Sequence, residues 1–72
     1  RAEIAGQVCA VKDLSPGGLA VRDLAGSFAR GQRLPLRLML PFGSFSMDIS
    51  LEAEIQHFNS AAKTAGLRFV DL

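Results

Sequence analysis

The stretch that decides the fold is Phe45-Ser46-Met47-Asp48-Ile49-Ser50-Leu51-Glu52-Ala53-Glu54-Ile55-Gln56. Every odd position in this stretch is apolar and every even position is polar. A two-residue period of this kind is typical of a β-strand that buries one face and leaves the other face in water. The stretch therefore predicts one long strand in a sheet with a single buried face, and Asp48, Glu52 and Glu54 are expected to lie on the solvated face.

The residues before this strand predict its partner. Four leucines alternate with other residues between positions 33 and 40, and the segment Pro41-Phe42-Gly43-Ser44 has the composition of a tight turn. Together with the long strand they predict a β-hairpin. Because Pro35 has no N–H group to donate, we expect the leucine-rich strand to be an edge strand at that point, or to contain a bulge.

Three further segments complete an all-β pattern. Ile4 to Val11, broken by Gly6, and Leu19 to Val21 are predicted strands, and Thr64 to Leu72 alternates Ala65, Leu67 and Phe69 on one face. The longest irregular connector runs from Arg22 to Gly31, and no segment has a helical period. Five strands joined mostly by short turns predict a small antiparallel barrel or sandwich. The expected core includes Cys9 as a small hydrophobic side chain and the aromatic residues Phe42, Phe45, Phe58 and Phe69.

Composition excludes several classes of protein. The chain has 72 residues, enough for one small domain, with eight Lys and Arg against seven Asp and Glu for a net charge of +1. A strongly cationic surface for nucleic acid or membranes is therefore not expected. One cysteine and one histidine exclude an internal disulfide and a four-ligand zinc site, so no metal or cofactor is expected. No nucleophile–base pair or phosphate loop is visible, which argues against an enzyme.

The most specific motif is Asp13-Leu14-Ser15-Pro16-Gly17-Gly18. Asp and Ser side chains form tight turns by bonding to backbone N–H groups two or three residues ahead. Pro16 fixes one φ angle, and the two glycines allow a positive φ or a close approach of another backbone. The motif therefore predicts a rigid corner between two strands, with polar groups at its rim that suit the edge of a base or an anion.

With these residues in this order, the chain resembles the PilZ domain family, the bacterial receptor module for cyclic di-GMP. Asp13, Ser15 and Gly18 match the family pattern D/N-x-S-x-x-G. The resemblance continues over nearly the whole chain, through Gly18-Leu19-Ala20-Val21, Gly31 before an alternating strand, Gly66-Leu67-Arg68-Phe69 and Val70-Asp71-Leu72.

The resemblance implies a six-stranded barrel that binds cyclic di-GMP on its outer surface. The side chains of Asp13 and Ser15 and the backbone at Gly17 and Gly18 would hold a guanine edge. It also implies a cytoplasmic regulatory module of a bacterial protein, compatible with a membrane-anchored parent and with control of exopolysaccharide synthesis or export. Ligand binding would move a neighbouring domain or partner protein.

One part of the family pattern has no match. The family carries an R-x-x-x-R motif on an arm upstream of the turn, and none precedes Asp13. We therefore expect residues 1–72 to be most of a PilZ-like domain, about five strands, with the first strand and the arm outside this chain. Arg33 and Arg37 also spell R-x-x-x-R, but they follow the turn and are interpreted as solvated charges on a strand. Arg22 and Arg30, which flank the connector, are the candidates for contact with a ligand phosphate.

The sequence is also compatible with other functions. The main alternative is a degenerate PilZ-like barrel that binds only protein, since a barrel without its first strand would expose an edge for pairing with a partner or a second copy. A small nucleic-acid-binding barrel is disfavoured by the near-zero charge. His57 continues the inward register of Ile55 and is interpreted as a partly buried or loop histidine.

Overall fold

The computed structural model describes residues 1–70, which form a closed antiparallel barrel of six strands. In chain order these are β1 (Ala2–Ile4), β2 (Gln7–Ser15), β3 (Gly18–Arg22), β4 (Arg33–Phe42), β5 (Phe45–Asn59) and β6 (Thr64–Val70). Around the barrel the order is β1-β2-β3-β6-β5-β4. The predicted all-β barrel is confirmed, and the long alternating stretch is β5. The last two residues of the predicted final strand, Asp71 and Leu72, lie outside the described residues.

The barrel has six strands where the sequence predicted five. The predicted strand from Ile4 to Val11 is in fact two strands, because Ala5 (φ 51°) and Gly6 (φ 77°) form a two-residue turn. Positive φ at both central positions is the geometry that joins two strands into a tight hairpin. The short strand β1 then pairs with β2 on one edge and with β4 on the other. The expectation that the first strand lies outside this chain is therefore wrong, since β1 closes the barrel.

Strand β4 is not bulged against β5, but at Pro35 it pairs with β5 alone among the described residues, so the expectation of an edge at that point is confirmed. Arg1 and Met39 exchange two backbone hydrogen bonds, of 3.0 and 2.8 Å. Since alternate residues of a strand direct their backbone groups to opposite sides, the odd-numbered residues of β4 face β1. Pro35 lies just beyond the last β1 pair, Ile4 with Leu36. The missing N–H of Pro35 therefore costs no hydrogen bond, because β1 does not pair with β4 at that position.

Apolar side chains from all six strands fill the inside of the barrel. Cys9 is fully buried there, as expected. Burial, and secondarily the charge of Asp23, raise the pKa of its thiol. The buried set consists of Ala2, Ile4, Cys9, Leu19, Val21, Leu24, Leu36, Leu38, Ala53, Ile55, Ala65 and Leu67.

The connector between β3 and β4 supplies one core residue that the sequence did not predict. Leu24 has no exposed surface, and its backbone N–H donates to the carbonyl of Lys63 at 3.1 Å. The side-chain amide of Gln7 holds the next residue, Ala25, through two hydrogen bonds of 2.7 and 2.8 Å. The connector is thus fixed against the barrel, and Leu24 is packed into its core.

The phenylalanines divide into two groups. Phe58 and Phe69 are partly buried against the core, and Phe28 of the connector meets Phe58 edge-to-face at 5.3 Å between ring centroids. Phe42 and Phe45 are 45% and 68% exposed, so their assignment to the core is wrong. They lie at the tip of the β4–β5 hairpin, which extends past the other described strands, and they stack on each other with 6.3 Å between ring centroids.

We predict that Leu24→Ala lowers the free energy of unfolding by about 2–4 kcal/mol, because it leaves a cavity that a closed barrel cannot collapse. Leu14→Ala is the matched control, since Leu14 is 45% exposed and its truncation should change stability by less than about 1 kcal/mol. Urea unfolding followed by circular dichroism measures both. Equal destabilisation by the two substitutions would contradict the assignment of Leu24 to the core.

Candidate functional site

A shallow groove of about 260 Å³ crosses the outer surface of the barrel over β2, β3, β6 and β5. Asp13, Ala20, Gly66 and His57 are successive cross-strand neighbours along it. Asp13 on β2 and His57 on β5 are therefore three strands apart around the curved wall of the barrel. The groove therefore has polar walls and a floor of small residues. Its lining consists of Asp13, Ser15, Gly18, Leu19, Ala20, Gln56, His57, Gly66 and Leu67.

Two register shifts place the walls of the groove on the outer face. One lies in β2 between Val11 and Asp13, and the other lies in β5 between Ile55 and His57. Each inserts one extra residue, and such a bulge reverses the side to which the following residues point. This is why the expected inward register of His57 is wrong. Strict alternation from Ile55 would bury it, whereas the bulge at Gln56 turns it outward, where it is exposed.

Two glycines form the floor because no side chain fits there. A Cβ atom on Gly18 would lie 2.2 Å from the carbonyl oxygen of Leu67, and a Cβ on Gly66 would lie 2.3 Å from Nε2 of His57. The first glycine allows β3 to approach β6 closely, which is the second of the two roles that the sequence suggested. The second glycine makes room for the imidazole ring of His57, which lies over the β6 backbone.

The predicted site residues of the turn are brought together at one end of the groove. Asp13 and Ser15 belong to strand β2 and are exposed, while the turn itself is Pro16 and Gly17. The Ser15 hydroxyl donates to the carbonyl of Gly18 at 3.2 Å, rather than accepting from an N–H ahead of it. Gly17 does not line the groove. Its carbonyl accepts the N–H of Phe69 at 2.9 Å and so ties the turn to β6.

The arginines predicted for phosphate contact are not part of this groove. Arg22 is exposed at the end of β3, and Arg30 is exposed in the connector. Arg33 and Arg37 are exposed as expected. Arg33 lies 3.6 Å from Glu54, and Arg37 lies 2.7 Å from Asp48. Both arginines of the downstream R-x-x-x-R are thus paired with carboxylates of β5.

A cation that the sequence did not assign to the site lies beside the groove. Arg68 is opposite Gly18 in the β3–β6 ladder, and its guanidinium is 3.4 Å from Glu54. Glu54 also accepts a hydrogen bond of 2.9 Å from Gln56. That bond, followed by the charges of Arg68 and Arg33, lowers the pKa of the Glu54 carboxyl. Glu54 is therefore an anion that partly neutralises Arg68.

The arrangement suits one flat, polar ligand group. Above Gly18 and Ala20 the floor leaves space, while the His57 ring covers Gly66. Asp13 offers two acceptor oxygens at one end, and His57 offers a planar ring at the other end. The sequence predicted the Asp13 wall. The second wall was missed because nothing in the strand's alternation marks the bulge at Gln56.

The comparisons with known proteins identify no family. A scan against known protein families and a search of curated proteins both found no match to this chain. No helix within residues 1–70 is long and apolar enough to cross a membrane.

We predict that Gly18→Ala lowers the free energy of unfolding by at least about 2 kcal/mol, because the new methyl group meets the backbone of β6 and the strands must separate. Gly17→Ala is the matched control one residue away. A Cβ there meets nothing within 4 Å, and stability should be unchanged or up to about 1 kcal/mol higher. Thermal and urea unfolding measure both variants, and an unaffected Gly18→Ala protein would rule out the close approach.

Proposed function

We propose that this chain is a PilZ-type regulatory module that holds a guanine base of cyclic di-GMP in the groove. The observation that carries the proposal is the position of Asp13 and Ser15 on the outer face, next to the floor formed by Gly18, Ala20 and Gly66. These are the residues through which the sequence resembles the family. The module acts by sensing a bacterial second messenger, and control of exopolysaccharide synthesis or export is its proposed output.

The chemistry at the Asp13 wall favours guanine over adenine. A carboxylate is only an acceptor, and the N1–H and N2–H groups of guanine are adjacent donors that can bond to its two oxygens. Adenine presents an acceptor at N1 and lacks the N2 amino group. Within the described residues Asp13 makes no side-chain hydrogen bond that would have to be broken first. Asp13 is therefore the base-reading residue of the proposal.

The size of the groove sets how much of the ligand it holds. About 260 Å³ is below the range of about 300–1,000 Å³ that is usual for small-molecule sites. It suits one base, which would lie between the Asp13 wall and the imidazole of His57, and the sugar–phosphate ring would extend beyond the groove. Stacking of a base on a planar side chain contributes about 1–3 kcal/mol, so His57 is the second proposed contact.

The phosphates require cations that the groove does not supply. Arg22 and Arg30 do not line it, and Arg68 is paired with Glu54. On this proposal an R-x-x-x-R motif upstream of residue 1 in the parent protein supplies guanidinium groups to the phosphates. The 72-residue chain alone is then expected to bind cyclic di-GMP weakly or not at all. Ligand binding would draw this upstream arginine segment onto the barrel and so move a neighbouring domain.

Calorimetric titration of the parent protein with cyclic di-GMP tests the proposal. We expect saturable binding at micromolar or lower concentrations, and Asp13→Asn should weaken it at least about tenfold, because an amide replaces one acceptor oxygen by a donor. Cyclic di-AMP should bind much more weakly than cyclic di-GMP to the unmodified protein.

The control for this substitution is Asp48→Asn, which changes an exposed carboxylate on β5 outside the groove. It should leave affinity within about twofold of the unmodified protein. A parent protein that is folded by circular dichroism and gives no heat with cyclic di-GMP at tens of micromolar would refute the receptor function. Equal losses of affinity from Asp13→Asn and Asp48→Asn would refute the proposed role of Asp13 but not the receptor function.

We also predict that Glu54→Gln strengthens binding of cyclic di-GMP by about two- to fivefold, since it releases the Arg68 guanidinium toward an anionic ligand. The gain should shrink at high salt, because salt screens exposed charges. The double variant Glu54→Gln with Arg68→Gln is the control and should lose the gain. An unchanged or lower affinity for Glu54→Gln alone would show that Arg68 does not approach the ligand.

A second candidate function is that of a barrel that binds protein and no nucleotide. The exposed aromatic tip of the β4–β5 hairpin favours it, because Phe45 is 68% exposed beside Phe42. The two functions differ in what lies upstream of residue 1, since only the receptor needs an arginine arm. They also differ in which variants impair function, Asp13→Asn for the receptor and Phe45→Ser for the protein-binding barrel.

A further inference from the structure

The end of the β4–β5 hairpin extends past the barrel with one apolar face uncovered. We call residues 40–49 the hairpin arm. Along β5 the inward-facing side chains go from buried at Ala53 to 46% exposed at Met47 and 68% at Phe45. Residues 38–47 contain no charged side chain. The core face of the hairpin thus continues into a segment that no other described strand covers.

The same arm has one open backbone edge. The residues of β5 that pair with the even-numbered residues of β4 direct their N–H groups toward β4, so Ser46, Asp48 and Ser50 direct theirs away from it. Among residues 1–70, β6 covers that side of β5 only as far as Glu52, which pairs with Val70. The N–H groups of Ser46 and Asp48 therefore lie along an edge to which an added strand can bind.

The opposite edge of the hairpin is closed to pairing. Odd-numbered residues of β4 face that side. Arg37 pairs with β1 there and Met39 bonds to Arg1, and the next odd-numbered positions on either side are Pro35 and Pro41. Proline has no N–H group to offer to an added strand. Within residues 1–70, one edge of the hairpin is thus blocked, and the other edge is open beside exposed apolar side chains.

We propose that the open edge of β5 pairs antiparallel with the same edge of a second copy of this chain. Pairing Met47 with Met47 of the other copy places Phe45 opposite Ile49 and Ser46 opposite Asp48. The alternative that centres on Asp48 would place two carboxylates directly opposite each other, which is destabilising. The favoured register is self-complementary, as a two-fold interface requires.

This pairing covers the exposed apolar side chains of the hairpin arm and also supplies acceptors for its edge N–H groups. It joins the two hairpins into one four-stranded sheet whose Phe45, Met47 and Ile49 side chains form a continuous apolar face. A lipid surface would cover the apolar side chains but would leave the edge N–H groups without acceptors. A second strand supplies those acceptors, and for this reason we favour a protein partner over a membrane.

The inference is independent of the proposed nucleotide site. The groove is formed near His57, whereas the arm lies at the other end of β5, around Met47. Few residues of each copy meet, so the contact belongs to the small, weak class of interfaces and should dissociate in the micromolar range. Asp13→Asn should leave it unchanged.

Sedimentation equilibrium of this chain from about 5 to about 500 µM spans the range of a weak dimer and tests the inference. We expect the average mass to rise toward that of a dimer with concentration. Ser46→Pro removes one edge donor without removing a bond to β4, and Phe45→Ser removes the largest exposed side chain. Each should weaken association at least about tenfold.

The matched controls are Ser46→Ala, which keeps the N–H group, and Val8→Ser, which changes a 56% exposed apolar residue on β2. Both should associate like the unmodified chain. Hydrogen exchange should show protection of the Ser46 and Asp48 amides that increases with concentration. A monomer at all concentrations, a dimer insensitive to both arm variants, or amides equally protected at every concentration would each overturn the inference.

Discussion

Closure of the barrel depends on the backbone hydrogen bonds that β1 makes along both of its edges. A strand of three residues, Ala2–Ile4, pairs with β2 through the Ala5-Gly6 turn and with β4 through Leu36 to Leu38. Both of its inward side chains are buried. Because β1 is short, the edge of β4 would be uncovered at either end, and the chain has prolines at those positions. The prolines therefore block the two parts of the β4 edge that β1 is too short to cover.

The groove exists because two strands depart from regular pairing above a floor without side chains. One extra residue in β2 and one in β5 turn Asp13 and His57 outward, while Gly18 lets β3 approach β6 closely and Gly66 makes room for the His57 ring. Bulges commonly direct side chains to functional surfaces. The polar walls are not needed to hold the core together, whereas the two glycines serve both the packing of the sheet and the shape of the groove.

Alternation in the sequence was sufficient to predict β4, β5, β6 and the all-β barrel, because burial of one face imposes the two-residue period directly. It was not sufficient where the period breaks. The Ala5 turn was missed because alanine rarely adopts positive φ, and Leu24 was missed because a core residue in an irregular connector has no period. The motif at Asp13 was visible from residue types alone. The wall at His57 was not, because a bulge changes register without a characteristic composition.

The packing of Leu24 and its neighbours has a consequence for recognition. In wide barrels a ligand enters the lumen, and affinity follows from enclosing it. Here aliphatic side chains occupy the lumen, so the barrel presents only its outer wall to other molecules. Evolution can then alter what this domain binds by exchanging a few outward residues, while the inward residues of the same strands keep the fold unchanged.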